Sequence, residues 1–348
     1  MNVLLVKDDC GRSRKTCHMP THTAIIALTK GGKQLAQRLK TLVPGSEIIP
    51  NKGKIHQTFA QAWQDHDSLI CIMATGIVVR SIAPLLQDKT VDPALVVCDE
   101  QGRFAVSLLS GHLGGGNALA QKVADVLGGQ AVITTASDVL GHTALDLWCR
   151  DMGLAVTDKQ GLTRVMAKLV NTGSVTLYSE YPLPPLPQDI IPSRTLDAAD
   201  LLVTSRIRQK ENIVLLHPKA LVAGIGCNRN TPAKEISEAL DHACRTHQLA
   251  RESVRNLASI DLKSDEPGLL AFAHAQNLPL DFYSPDQLNQ VEGVAASAAV
   301  LRATGAKAVA EPAAILSSGG GPLLVQKMKF PNVTVAIAEI LQPFPTLF

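Results

Sequence analysis

Residues 24–43 read AIIALTKGGKQLAQRLKTLV, and this stretch decides the fold. The apolar run Ala24–Leu28 has the length of a buried strand. From Gly32 to Val43 the apolar residues recur at the spacing of an amphipathic helix. The same alternation of short apolar runs and amphipathic stretches continues along the chain. It predicts an α/β fold with helices on the faces of its sheets.

The length and the rhythm of the chain predict three folded units behind a short extension. The fold class that we predict is α/β, with a Rossmann-like N-terminal domain, a small α/β middle segment and a separate α/β C-terminal domain. The predicted bounds are residues 1–20 for an extension that is either disordered or ordered, 21–140 for the first domain, 141–218 for the middle region and 219–348 for the last domain. We expect the proline-rich run Tyr181–Pro187 to be extended and exposed, because proline removes a backbone donor.

Several local predictions bear on the candidate sites. Ala94–Val97 and Phe104–Leu109 flank four turn-forming residues, which predicts a hairpin within the α/β pattern. In the last domain we expect a strand at Leu221–Gly226 and a helix at Glu252–Leu257. Ser317–Gly321 and Lys327–Lys329 are interpreted either as a flexible ligand-facing flap or as an exposed loop.

Composition excludes two classes of partner. The formal net charge is +2 and aromatic residues make up 3% of the chain, so we predict no nucleic-acid partner. No stretch offers the roughly 20 uninterrupted apolar residues of a membrane span, and Met1–Pro20 lacks the apolar core of a signal peptide. The seven cysteines are scattered without a Cys-x-x-Cys pair or a zinc spacing. We therefore predict a cytoplasmic protein with no membrane partner and no metal site of its own.

The densest candidate for chemistry is the loop 110–117, which reads SGHLGGGN between a predicted strand and a predicted helix. Glycines let the backbone approach a ligand, and the first N–H groups of a helix attract anions. His112 can donate a proton or a hydrogen bond near neutral pH. The other residues of this loop that we predict to bind substrate are Ser110, Gly111, Gly114, Gly115, Gly116 and Asn117. The alternative is a tight turn whose glycines only permit the helix to pack on the sheet. The spacing of the glycines fits neither a dinucleotide-binding loop nor a P-loop.

Two more segments of the first domain are predicted to share a crevice with this loop. Thr75, Gly76 and Arg80 follow one predicted strand, while Ser137 and Asp138 follow another. Ligands sit beyond the carboxyl ends of the strands in open α/β sheets, so we expect all of these residues at one edge. For Thr75, Ser137 and Asp138 the alternative is helix capping alone, and for Arg80 it is a solvated surface position.

The last domain repeats the arrangement of strand, flexible loop and capped helix. Its predicted binding residues are Gly226, Asn228 and Arg229, and the planar guanidinium of Arg229 suits a carboxylate. Cys227 is either a nucleophile or a packed thiol. Glu311 stands at the start of an apolar helix, where a negative charge is favourable.

Taken in order, these segments resemble the CbiG family, which acts in the anaerobic branch of cobalamin biosynthesis. The resemblance covers nearly the whole chain from about Thr23 onward. Asn230 stands where we expect a glycine in this family, although asparagine also tolerates left-handed backbone geometry. The segments that carry the resemblance are Ala74–Pro84, Ser110–Asn117, Thr134–Asp138, Gly224–Thr231, Glu311–Ala314 and Asn332–Ala338.

The resemblance implies hydrolysis of cobalt-precorrin-5A, in which the δ-lactone of the macrocycle opens and a two-carbon fragment leaves as acetaldehyde. Cobalt then belongs to the substrate, and no cofactor is expected. Loops of the first and last domains would enclose the macrocycle, with His112 or Glu311 assisting proton transfer. The alternative is a noncatalytic tetrapyrrole carrier of the same pathway. A homodimer and transient contacts with other corrin-pathway enzymes are further partner predictions.

Overall fold

The computed structural model describes residues 22–51, 53–88, 91–208 and 212–344. The predicted extension at residues 1–20 lies outside them. The described residues form three sheets with helices between their strands, as the α/β prediction requires. The chain divides into two compact units, one ending at Trp148 and the other beginning at Cys149. Within the described ranges, every helix is too short or too polar to cross a lipid bilayer.

The first unit is built on a six-stranded sheet. Its strands are β1 (Thr23–Ala27), β2 (Ser46–Ile48), β3 (Ser68–Ile72), β4 (Ala94–Cys98), β5 (Phe104–Leu109) and β6 (Gln130–Val132). Its helices are α1 (Lys30–Leu42), α2 (Ile55–Asp65), α3 (Thr75–Ile82), α4 (Gly116–Leu127) and α5 (Ala136–Leu140). The strand order is β2-β1-β3-β4-β5-β6.

Helices cover both faces of this sheet. Helices α1 and α4 pack on one face around Leu39 and Leu119, and α2 packs on the other around Phe59. Ile25 faces the first core while its neighbour Ile26 faces the second. Because β1 is buried on both faces, its sequence is a continuous apolar run rather than an alternating one.

The predicted hairpin between β4 and β5 is present, and it reverses the direction of the sheet. Strands β1 to β4 run parallel, whereas β5 runs antiparallel to β4 and parallel to β6. Leu109, at the end of β5, pairs with Leu95 near the beginning of β4. The chain therefore leaves β5 at the edge where β1, β3 and β4 begin. The prediction that the loop 110–117 shares an edge with Thr75 is wrong, because Thr75 follows the carboxyl end of β3.

Two five-stranded sheets complete the chain. The middle elements are α6 (Leu145–Asp151), β7 (Ala155–Val156), α7 (Lys159–Thr172), β8 (Val175–Ser179), β9 (Ile190–Pro192), β10 (Leu201–Val203) and β11 (Val214–His217). The last elements are β12 (Leu221–Cys227), α8 (Ala233–Thr246), β13 (Val254–Ile260), α9 (Pro267–Ala275), β14 (Leu280–Tyr283), α10 (Pro285–Asn289), α11 (Ala298–Thr304), α12 (Ala310–Ser317), β15 (Leu323–Lys329) and β16 (Val333–Glu339). The strand orders are β7-β11-β10-β8-β9 and β14-β13-β12-β16-β15.

Two predictions for the last sheet are wrong. The segment Glu252–Leu257 is mostly strand β13 rather than helix, because this short run is buried between β12 and β14, where periodicity alone does not separate helix from strand. Lys327–Lys329 belongs to β15, where Met328 pairs with Val335, and so is neither a flap nor a loop.

The proline-rich run Tyr181–Pro187 lies outside helices and strands, as predicted, but it is not exposed throughout. Tyr181 is buried, and its hydroxyl lies 2.7 Å from both Glu339 Oε1 and Ser205 Oγ. Burial raises the pKa of the Tyr181 phenol above its ordinary value. This tyrosine therefore links the middle sheet to the last sheet through a neutral, hydrogen-bonded hydroxyl.

Candidate active site

The loop 110–117 folds back on the end of β5 before α4 begins. The backbone N–H of Gly116 donates to the Ser110 carbonyl at 3.0 Å, and that of Asn117 donates to the Gly111 carbonyl at 2.9 Å. Ser110 and Gly115 have positive φ angles of 53° and 84°. A Cβ on Gly116 would lie 2.7 Å from a backbone oxygen of β5. The loop geometry therefore requires small residues for packing, whatever further part they play in binding.

A second glycine of this loop is equally confined. A Cβ on Gly114 would lie 2.6 Å from the carbonyl oxygen of Ser110. Since a real Cβ does not approach a backbone oxygen so closely, a larger residue at Gly114 would open the loop. The compact turn fixes the position of His112, which stands at its centre.

The ring of His112 lies between two carboxylates. Its Nε2 is 2.7 Å from Asp138 Oδ2, and its Nδ1 is 3.6 Å from Asp146 Oδ1. The hydroxyl of Ser137 lies 3.3 Å from the same Nε2. Only 10% of the His112 side chain is exposed, so these charges act through a partly dehydrated medium. An imidazole with an acceptor at each nitrogen is suited to take up and pass on a proton.

Asn117 holds one of these carboxylates in place from behind. Its Nδ2 donates to Asp138 Oδ2 at 2.9 Å and to Thr135 Oγ1 at 3.1 Å. Its Oδ1 accepts from Ser107 Oγ at 2.7 Å. Asn117 is 9% exposed, so the structure gives it a positioning role, and its predicted contact with substrate stays a prediction.

Part of this cluster follows from the sequence and part does not. Ser137 and Asp138 follow β6, which runs parallel to β5, so their expected meeting with the loop 110–117 is confirmed. Sequence reasoning missed Asp146, which approaches His112 from the first turn of α6. A local motif does not reveal such a partner, because the two residues belong to separate elements.

The opposite edge of the sheet carries a cleft of about 570 Å³. The cleft lies beyond the carboxyl ends of β1 and β3. These neighbouring strands form the switch point of the sheet, because the chain places β2 on one side of β1 and β3 on the other. This is the position at which open α/β sheets bind ligands. Its polar lining includes Thr29 and Thr75, while most of its other lining residues are apolar. Thr29 also caps α1, since its hydroxyl accepts from Gly32 N at 3.0 Å.

The three residues predicted after β3 lie at this cleft edge. Ala74 occupies the capping position of α3, so the alternative in which Thr75 caps this helix is wrong. Arg80 lies on the surface with its guanidinium over Gly76, where an added Cβ would be 3.4 Å from a guanidinium nitrogen. Arg80 thus takes the exposed position that its alternative interpretation describes, and its contact with substrate stays a prediction.

In the last sheet, the predicted carboxylate partner of Arg229 is supplied by the protein itself. Arg229 pairs with Asp265 and donates from its second terminal nitrogen to the Leu262 carbonyl at 3.0 Å. The hydrogen bond with Asp265 raises the pKa of Arg229 and lowers that of Asp265. A carboxylate of the substrate would compete with Asp265 for this guanidinium.

The loop after β12 contacts the loop before β16. Asn228 donates from its backbone N–H to the Asn332 carbonyl at 2.9 Å and from Nδ2 to Asn332 Oδ1 at 3.0 Å. Asn230 has a φ angle of 60°, the left-handed geometry expected for it, and its N–H donates to Glu266 at 2.7 Å. Gly226 lies beside this contact, where an added Cβ would be 2.5 Å from Thr334 Oγ1.

Cys227 and Glu311 are engaged in packing and anchoring. Burial raises the pKa of the Cys227 thiol, which favours the packed-thiol interpretation over the nucleophile. Glu311 is 8% exposed, and its Oε1 accepts from the Lys327 backbone N–H at 3.0 Å. The present contact of Glu311 therefore anchors β15, and its catalytic role stays a prediction.

Three family models match successive segments of the chain. Residues 57–138 match the cobalamin synthesis G N-terminal model, residues 143–218 the cobalamin biosynthesis central region, and residues 221–338 the cobalamin synthesis G C-terminus. Fold and matches together define the class, a multi-domain α/β protein of cobalamin synthesis.

Similar proteins extend over most of the chain. A Priestia megaterium protein named cobalt-precorrin-5A hydrolase is 35% identical, over 91% of this chain and 94% of its own. A Salmonella typhimurium protein of the same name is 34% identical, over 91% of this chain and 97% of its own. A Sinorhizobium protein named CobE is 36% identical over 34% of this chain and 79% of its own length. The chain belongs to the CbiG family, and the resemblance found in its sequence is confirmed.

Proposed function

We propose that this chain hydrolyses cobalt-precorrin-5A, opening its δ-lactone and releasing acetaldehyde to give cobalt-precorrin-5B. The observation that carries the proposal is the identity of 35%, over nearly the full length of both chains, with a relative named for this hydrolysis. The imidazole of His112, which is 10% exposed and lies between two carboxylates, supports it, because a lactone needs proton transfer when water attacks.

In the proposed first step, His112 takes a proton from water as the oxygen adds to the lactone carbonyl. The acyl C–O bond then breaks, and the alkoxide that leaves takes the proton that His112 accepted from water. In the second step the freed hydroxyl gives its proton to His112, the adjacent C–C bond breaks, and the electron pair of that bond passes to the macrocycle as acetaldehyde departs. Asp138 orients the ring by accepting from Nε2–H, so Nδ1, on the side of Asp146, is the nitrogen that takes up and returns the proton. General acid–base help of this kind gives roughly 10²–10⁴-fold in rate.

The proposed reaction uses no cofactor, because cobalt enters with the substrate. N–H groups at the start of α4, around Gly115 and Gly116, would hold a carboxylate arm or the developing oxyanion. The proposal includes a cytoplasmic location, a homodimer and transient contacts with other corrin-pathway enzymes. It also includes the enclosure of the macrocycle by loops of the first and last domains.

The test is a single-turnover assay with cobalt-precorrin-5A in which acetaldehyde is trapped and quantified. For His112→Gln we expect release to slow by roughly 10²–10⁴-fold while the bound fraction of the corrinoid stays near that of the wild type. His56→Gln is the matched control, since His56 is an exposed residue of α2, and it should release acetaldehyde at the wild-type rate.

Two results would contradict the proposal in different ways. Wild-type protein that binds the corrinoid and never releases acetaldehyde would be a carrier rather than an enzyme. A His112→Gln variant that releases acetaldehyde at the wild-type rate would leave the hydrolase assignment standing and remove His112 from its mechanism.

A further inference from the structure

We propose that His22, Glu47 and His66 bind one divalent transition-metal ion such as Zn²⁺ or Co²⁺. Each of the three residues can offer one ligand atom, and these atoms all lie within 4.8 Å of one another. His22 directly precedes β1, Glu47 lies in β2, and His66 caps the end of α2. The cluster is separate from the residues that we assign to hydrolysis, and this proposal replaces the sequence prediction of no metal site.

The hydrogen bonding of His66 prepares one nitrogen for a metal. Its Nδ1 lies 3.2 Å from the Ala62 carbonyl oxygen, which can only accept, so this contact suits the tautomer with the hydrogen on Nδ1. Its Nε2 then points at Glu47 Oε1, 2.7 Å away. A backbone carbonyl on one nitrogen is the usual way in which proteins fix the tautomer of a metal-binding histidine.

The contact between His66 Nε2 and Glu47 Oε1 is favourable only with a positive charge or a hydrogen between the two atoms. If His66 is neutral, the lone pair of Nε2 faces a carboxylate oxygen, which is repulsive at 2.7 Å. Either a proton on Nε2 or a metal ion between the two atoms removes the repulsion. The side chain of His66 is 5% exposed and that of Glu47 is 54% exposed, so water screens the pair only from the Glu47 side. The ring of His22 lies 5.4 Å from that of His66, which brings a second imidazole to the same cation.

The ligand set selects the kind of metal. Two imidazoles and one carboxylate suit Zn²⁺, Co²⁺ or Ni²⁺ and do not suit Mg²⁺ or Ca²⁺, which prefer oxygen ligands. Zinc bonds of about 2.0–2.1 Å place tetrahedral ligand atoms roughly 3.3 Å apart. The Glu47 side chain is 54% exposed and can turn to reach that spacing. A cavity of about 450 Å³ adjoins the three residues, so water or Asp65 at its wall can complete the coordination.

The site lies at the same edge of the sheet as His112 but well apart from it. The strand register links Glu47 on β2 to Leu109 at the end of β5 through one paired residue on each strand between them. These paired residues are Ala24 on β1, Leu69 on β3 and Leu95 on β4. Four strand spacings amount to roughly 19 Å. An ion there would tie the beginnings of β1 and β2 to the end of α2, so we assign it a structural role.

The test is a titration of the chelator-treated full-length chain with ZnCl₂, followed by calorimetry and thermal unfolding, and with CoCl₂, followed by visible absorption. We expect one ion per chain, a rise in Tm with metal, and a Co²⁺ spectrum free of thiolate charge-transfer bands. His22→Gln and Glu47→Gln should each weaken binding by at least roughly 10–100-fold, the loss known for outer-shell partners. His56→Gln, an exposed histidine on α2, should stay within about twofold of the wild type.

Three outcomes would overturn the proposal. The first is the absence of binding by the wild type up to millimolar metal. The second is binding that survives both His22→Gln and Glu47→Gln, which would put the ion elsewhere in the chain. The third is a Co²⁺ spectrum dominated by thiolate bands, which would assign the ion to cysteines. His66→Gln is left out of the decision, because this residue is buried and its loss can unfold the chain without any metal effect.

Discussion

At the scale of single residues, Asn117 decides the geometry of the candidate active site. It joins Ser107 on β5, Thr135 before α5 and the carboxylate that faces His112. A buried amide with partners on both its oxygen and its nitrogen is costly to remove, since the groups left behind lose their hydrogen bonds away from water. The imidazole of His112 therefore depends on a residue that does not touch it.

We predict that Asn117→Ala lowers the free energy of unfolding by roughly 1–3 kcal/mol. It should also lower kcat while leaving KM nearly unchanged, because Asp138 loses a donor but the binding surface stays. Urea unfolding and steady-state acetaldehyde release measure the two effects. Gln121→Ala removes an exposed amide one turn further along α4 and should change neither. Equal losses in both variants would contradict a special role for Asn117.

Cys227 provides a second prediction at this scale. Burial raises the pKa of its thiol, so little thiolate is present at neutral pH. Cys227→Ser should therefore keep kcat within about threefold of the wild type. A loss of turnover beyond roughly 100-fold, with substrate still bound, would instead identify this residue as a nucleophile.

At the scale of elements, close approaches explain where glycine is required. Gly224 lies in β12 under the start of α12, and a Cβ there would be 1.8 Å from the Ala310 carbonyl oxygen. Gly76 lies in α3, where the nearest atom to an added Cβ is a flexible guanidinium nitrogen at 3.4 Å. The same substitution thus meets rigid backbone in one element and a movable side chain in the other.

We predict opposite effects of glycine-to-alanine substitution at these two positions. Gly224→Ala should destabilise the protein by about 3 kcal/mol or more, because α12 must move away from the sheet. Gly76→Ala should stabilise it by roughly 0.5–1 kcal/mol, since alanine favours the helix. Urea unfolding of both variants checks the pair, and a Gly224→Ala variant as stable as the wild type would show that α12 shifts at little cost.

The elements also show where sequence reasoning succeeds and where it stops. Long runs such as β1 and α1 are predictable from the sequence. β1 is buried on both faces and is therefore apolar throughout, whereas α1 is buried on one face and is apolar only at helical spacing. The run at β13 carries no such period, so its helix assignment failed. The hairpin at β5 is predictable from its turn residues, but its antiparallel direction puts the loop 110–117 at the edge opposite Thr75, where the prediction for this loop is wrong. The contact of Asp146 with His112 is not predictable from the sequence, because tertiary structure brings the two residues together.

At the scale of the whole molecule, stability depends on carboxylates that are paired inside the fold. Asp200 accepts from Lys168 Nζ at 2.7 Å and from the Thr176 N–H and hydroxyl, each at 2.9 Å. Burial alone would raise the pKa of Asp200, but these hydrogen bonds outweigh it and hold the pKa below its ordinary value of 3.8. Because the pKa of Asp200 is lower in the folded than in the unfolded state, its carboxylate stabilises the protein at pH values above the unfolded pKa. This stabilisation is lost as the pH falls through the folded pKa.

We predict that Asp200→Asn costs roughly 1–3 kcal/mol of unfolding free energy at neutral pH. The difference from the wild type should shrink as the pH falls below about 3.8, where the carboxylate of the wild type becomes protonated. Urea unfolding across this range is the measurement. Asp151→Asn, which removes an exposed carboxylate beside Arg150, should track the wild type at every pH. A difference that grows toward low pH would reverse the sign and refute the assignment.

The reversal of the sheet at β5 has a pharmacological consequence. The cleft beyond β1 and β3 and the histidine loop beyond β5 open at opposite ends of the first unit. An inhibitor shaped for the cleft would leave the histidine end free, so it would act without competing with a second compound placed there. Two weak fragments, one for each end, would then occupy the unit together.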